Sequence, residues 1–104
     1  MNEKLLSALS MARRAGKLKI GLEASKDAAR ACVPAVVITK DTSERTQRSI
    51  KECCTDKTEV IMLQETQQDI AEKFGWKFGV AAVTDINFAE LVRRSAEMPG
   101  EGLE

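Results

Sequence analysis

A-V-V-I-T, residues 35–39, is apolar at successive positions rather than alternate ones. A strand with one wet face alternates, whereas a strand covered on both faces reads as a continuous apolar run. Working outward, V-I-M-L (60–63) and F-G-V-A-A-V-T (78–84) repeat the pattern, and K-L-K-I (17–20) offers a shorter strand. Each is flanked by a segment with helical spacing. The predicted order is α-β-α-β-α-β-α-β-α. Buried strands alternating with amphipathic helices predict a three-layer α/β/α sandwich around a central mixed four-stranded sheet.

The helix bounds come from periodicity and caps. The first spans about 3–15, with Asn2 as N-cap, Gly16 as stop, and Leu5, Leu6, Leu9, Met11 and Ala12 turned inward. The second, about 22–32, offers Ala24, Ala28 and Ala31 as a narrow packing face, and Pro34 follows where a helix cannot continue. Asp41 with Glu44 reads as a capping box for a third helix, about 42–56, which turns Thr46, Ile50, Cys53 and Cys54 inward. Thr66 and Asp69 start a fourth, which buries Ile70, Ala71 and Phe74 and stops at Gly75. Asn87 with Glu90 starts the last, with an Ile86–Leu91 staple and with Phe88, Leu91 and Val92 docked. Residues 1–98 read as one domain and 99–104 as a frayed acidic tail.

Composition narrows the function. The chain has 104 residues, is 43% hydrophobic and 31% charged, and contains no histidine. It lacks a Walker pattern and a G-x-G-x-x-G, so no nucleotide cofactor is expected. No serine has an evident base, so no catalytic residue is assigned and an enzyme is not expected. Cys32, Cys53 and Cys54 contain no C-x-x-C, so no metal site is expected; Cys53 and Cys54 read as small helix-packing hydrophobes, with a vicinal disulfide as the alternative. With no membrane-length apolar run and no signal-peptide pattern, the expected location is the cytoplasm and the expected state a monomer.

Net charge is zero, but its distribution is uneven. Residues 1–30 carry seven Lys or Arg against three acids, and residues 65–104 carry four against eight. The basic part centres on K-L-K-I-G-L-E-A-S-K (17–26), where Gly21 leads from strand to helix. A helix N-terminus with Lys17, Lys19 and Lys26 on one exposed face makes a phosphate cradle. An ordinary strand-to-helix turn with solvated lysines is the competing reading. In F-G-W-K-F (74–78) the only tryptophan sits beside Lys77 in a loop. Either Trp76 or Phe78 is exposed for stacking on an RNA base, or the tryptophan folds back to close the core.

The blocks L-L-S-A-L-S-M-A-R-R-A-G-K-L-K-I-G (5–21), V-V-I-T-K-D-T-S-E-R-T (36–46) and F-G-W-K-F-G-V-A-A-V-T-D-I-N-F-A (74–89) resemble the ribosomal L7Ae/L30e family, closest to its bacterial YlxQ-like branch. The resemblance covers residues 4–93. It implies an α/β/α sandwich that binds kink-turn RNA, a sharply bent stem with sheared G·A pairs. Contacts are implied at residues 21–27, 39–41 and 75–79. The family's Gly-x-Asn-Glu-x-x-Lys motif keeps Gly21, but Glu23, Ala24 and Asp27 replace its Asn, Glu and Lys. A carboxylate cannot donate to a base acceptor as an Asn does, and the lost Lys removes a cation. Lys40 stands where the family is often acidic, while Asp41 is retained. The expected RNA-binding set is Lys17, Lys19, Gly21, Glu23, Ser25, Lys26, Lys40, Asp41, Gly75, Trp76, Lys77 and Phe78. The expected partners are ribosomal or other structured RNA, with ribosome or translation proteins. The alternative is a protein-interaction module on the same scaffold; a small-molecule-binding or enzymatic domain is a weaker third reading.

Overall fold

The computed structural model describes residues 3–75 and 77–97. In chain order these form α1 (Glu3–Arg14), β1 (Leu18–Ile20), α2 (Leu22–Arg30), β2 (Ala35–Ile38), α3 (Glu44–Cys53), β3 (Glu59–Met62), α4 (Gln67–Phe74), β4 (Val80–Val83) and α5 (Ile86–Glu97). The strands lie in the order β1-β4-β2-β3. β4 is antiparallel to both neighbours, while β2 and β3 are parallel. The sheet is therefore mixed, as expected. Asn2, Trp76 and the 99–104 tail lie outside the described residues.

β2 and β4 are buried at every position, which explains their unbroken apolar sequence. Alternation divides them between two cores. Ala35, Val37, Ala81 and Val83 join Leu5, Leu6 and Leu9 of α1, Ile70 of α4 and Val92 of α5. Val36, Ile38, Val80 and Ala82 turn the other way, onto Ala29 of α2 and Ile50 of α3. Three helices cover one face and two the other.

Thr66 and Asp69 form the expected capping box of α4, and Gly75 ends that helix in the left-handed region at φ 92°. Elsewhere tertiary contacts displaced the local reading. The N-cap of α3 is Ser43, which accepts from the Thr46 N–H. Asp41 is instead drawn to the start of α4, where it accepts from the Gln67 N–H at 3.1 Å. At α5 the Asp85 carboxylate accepts from the N–H groups of both Asn87 and Phe88, so Asp85 does the work expected of Asn87. Ile86 is 66% exposed and Leu91 37%, so the expected staple leaves both in solvent. Met11 is likewise outside the core, at 44%.

The inward face of α2 also differs. Ser25 and Ala29 are fully buried, Ala24 and Ala28 are half-buried, and Ala31 is exposed. An internal acceptor makes the polar residue acceptable there: the Ser25 hydroxyl donates to the Lys19 carbonyl at 3.5 Å. All three cysteines are free thiols. Cys53 and Cys54 pack half-buried against the α2/α3 core, and the Cys54 thiol donates to the Ile50 carbonyl. Burial, and then the neighbouring Cys53, push the Cys54 thiol pKa up. Both behave as small hydrophobes.

Candidate functional site

β1, β2 and β3 each lead into a helix at the same end of the sheet, and β4 enters from that end. The starts of α2, α3 and α4 therefore gather there. This is the end at which open α/β sheets usually hold ligands. Backbone bonds fix the arrangement: the Gly21 N–H donates to Val80 O at 2.9 Å, Thr39 N–H to Gly79 O at 2.9 Å, and Lys40 N–H to Glu65 O at 3.0 Å. Between these segments lies an open cleft of about 350 Å³, bordered by Gly21, Leu22, residues 41–43, Thr46, Gln67, Gly79 and Val80.

Two glycines shape the cleft for different reasons. Gly21 precedes α2 with φ 103° and ψ 160°, a conformation essentially reserved for glycine. As N-cap it offers no side chain to the first N–H groups of α2. Gly79 lies outside the left-handed region but has no room. A Cβ there would stand 2.7 Å from Thr42 Oγ1 and 3.4 Å from the Gln67 side chain. The Thr42 hydroxyl donates to Gly79 O at 3.1 Å and lies 2.8 Å from the Thr39 hydroxyl. Thr42 has one proton and gives it to the carbonyl, so Thr39 is the donor between the two hydroxyls. Both threonines are buried, and this hydroxyl relay ties the loop after β2 to the loop before β4.

The expected site residues separate into two groups. Gly21 and Asp41 border the cleft. Glu23, Lys40, Gly75 and Lys77 are exposed on the segments that meet at this end, and Lys26 is half-buried on α2. Two others need correction, and a third, Lys17, lies apart from the cleft. Ser25 is buried beneath α2 and its hydroxyl is used internally. Phe78 is only 5% exposed, and its ring stacks on Phe74 at 5.8 Å, so it serves the core. Lys17 lies at the opposite end of β1, where its carbonyl accepts from the Thr84 N–H. Four residues of extended chain, roughly 13 Å, separate it from Gly21. The three lysines do not share one face around the start of α2. Asp27, at the family's Lys position, is exposed and bonded to Arg30 at 3.0 Å.

Sequence reasoning missed Thr42, Ser43 and Gln67. The spacing Thr39-x-x-Thr42 at the end of an apolar strand was the available signal for the relay. Gln67 had no local signal, because only the meeting of α4 with the loop after β2 brings it in. Among the described residues, no three His, Cys, Asp or Glu side chains stand close enough to hold a metal. No helix among them is long and apolar enough to cross a membrane.

The fold and its loop end define an α/β/α sandwich with a polar cleft formed by strand-to-helix turns. Residues 3–92 match the model of the ribosomal protein L7Ae/L30e/S12e/Gadd45 family, and the chain belongs to that family. Among solved structures, it is similar to a protein of unknown function from Bacillus halodurans, with a TM-score of 0.80 and 24% identity over 90% of this chain and 97% of that one. It is also similar to a 15.5 kD RNA binding protein from Giardia lamblia, with a TM-score of 0.64 and 17% identity over 90% of this chain and 82% of the other. At these identities the likeness is one of fold. No curated protein matched the sequence.

Proposed function

We propose that this protein binds structured RNA without catalysis, through the sheet end where the start of α2, the loop after β2 and the loop before β4 meet. The observation that carries the reading is the bonding of these three segments into one surface, through Gly21 to Val80 and through Thr39 and Thr42 to Gly79. Family membership and the RNA binding protein from Giardia lamblia among its structural neighbours support it. Association with ribosomal RNA or translation proteins, in the cytoplasm, is the setting we infer. In this reading Gly21 opens the backbone of α2 to phosphate, Lys40 and Lys77 supply cations, and Trp76 supplies a stacking ring.

Recognition is expected to differ from that of a kink-turn reader. Glu23 and Asp27 present acceptors where the motif presents an Asn donor and a Lys cation, so sheared G·A pairs lose two of their partners. This favours the second reading, a protein-interaction module on the same scaffold. Titrating a panel of structured RNAs at two salt concentrations separates the two. The expected result is salt-sensitive binding, with less than a tenfold (about 1.4 kcal/mol) preference for a kink-turn over the same RNA with its G·A pairs disrupted. A larger preference shows that Glu23 and Asp27 matter less than argued. No binding to any RNA leaves the protein-interaction reading.

A further inference from the structure

The cleft end is close to electrically neutral. Exposed Lys40, Arg45 and Lys77 and half-buried Lys26 lie on its segments, but so do exposed Glu23, Asp27, Asp41 and Glu44. RNA affinity comes largely from neutralised phosphates, so such a surface is short of cations. A row of them starts two residues away. Lys19 sits at the centre of β1, the edge strand. Lys17 continues the ladder one residue beyond the strand, with its carbonyl bonded to Thr84. Leu18 and Ile20 turn into the α1/α4/α5 core, so by alternation Lys17 and Lys19 share the opposite side of the edge. They are spaced about 6.6 Å along it and lead to Gly21. Both side chains are exposed, and neither makes an ion pair among the described residues.

We infer that Lys17 and Lys19 form a phosphate track along the outer edge of β1, which holds the backbone of an RNA stem extending away from the cleft. The inference rests on the RNA-binding reading and names what lies beyond its loop contacts. The carboxylates that face this edge are Glu23 and Asp27 on α2, Asp27 in an exposed pair with Arg30, and Asp85, which follows the Thr84 bonded to Lys17 and accepts from the N–H groups of Asn87 and Phe88. The competing role for these lysines is to keep an open strand edge from pairing with another chain.

The test uses the full chain and a hairpin RNA with an internal loop, made with a short stem and with a stem longer by about one helical turn. Affinities are followed by fluorescence anisotropy across a salt series. The wild-type protein is expected to bind the long stem more tightly at low salt, with a steeper salt dependence. Substitution K17Q/K19Q is expected to remove that gain, roughly tenfold, and to lower the slope on the long stem by about 2, since each lost phosphate contact takes about one unit. Binding to the short stem stays within about twofold, and K17R/K19R restores the gain. The single variants K17Q and K19Q each take about half, which keeps the test readable if the double variant self-associates. An unchanged stem-length gain in the variants overturns the track and leaves the cleft reading intact. If the wild-type protein binds neither RNA, both fall.

Discussion

The two helical layers over the sheet are built from different side chains. α1, α4 and α5 cover their face with Leu5, Leu6, Leu9, Ile70 and Val92, and the Phe74–Phe78 stack closes one side. α2 and α3 cover theirs with Ala29, Ser25 and Ile50, with the two half-buried cysteines at the margin. The first layer supplies most of the large apolar burial. The second is thin, and its short side chains let α2 lie close enough for Ser25 to bond the backbone of β1. The starts of α2 and α3 both border the cleft, so the lightly packed layer carries more of the candidate site. Heavy apolar packing and the candidate site are thus weighted to opposite faces of one sheet.

Large-to-small changes in the thick layer give the largest expected effect. Leu9→Ala should fall in the upper part of the range of about 2–5 kcal/mol for such truncations, by urea denaturation, and Ile50→Ala in the thin layer in the lower part. Equal losses would show that the layers share the load. Gly79→Ala comes next. Its Cβ meets Thr42 Oγ1 at 2.7 Å, so it should cost about 1–3 kcal/mol. Adding Thr42→Ala should recover part of that loss, a coupling that a double-mutant cycle measures. Strict additivity would mean that the threonine gives way without cost. With Phe78 committed to the core, Trp76 is the remaining aromatic of its loop. Trp76→Ala should lower RNA affinity by roughly 1–3 kcal/mol while leaving stability nearly unchanged. A stability loss of about 3–5 kcal/mol would instead place that ring in the core.

The architecture was legible because β2 and β4 are buried on both faces, which leaves a signature no single-faced strand shares. The capping box at Thr66 and Asp69 was legible because both partners lie within one helical turn. What escaped was decided by contacts that local spacing does not fix, whether the partner is near in sequence or far. Asp41 has the right spacing to cap α3, yet the start of α4 holds it. Ser25 looked like a surface residue because its acceptor is the Lys19 carbonyl on β1. Phe78 looked available beside Gly75 and Gly79 because only the folded chain brings Phe74 against it. The end of the sheet that carries the cleft could be found from loop positions. Which lysines belong to it could not, because a lysine at one end of a three-residue strand and a lysine past the other differ only in three dimensions.

The most direct test of the central claim is a map of amide chemical shifts while the protein is titrated with a structured RNA from the panel. The account predicts that the largest changes fall on residues 21–24, 39–43 and 77–80, with smaller ones along β1 and little on the outer faces of α4 and α5. Changes centred on α1 and α5, with the cleft segments silent, would contradict it.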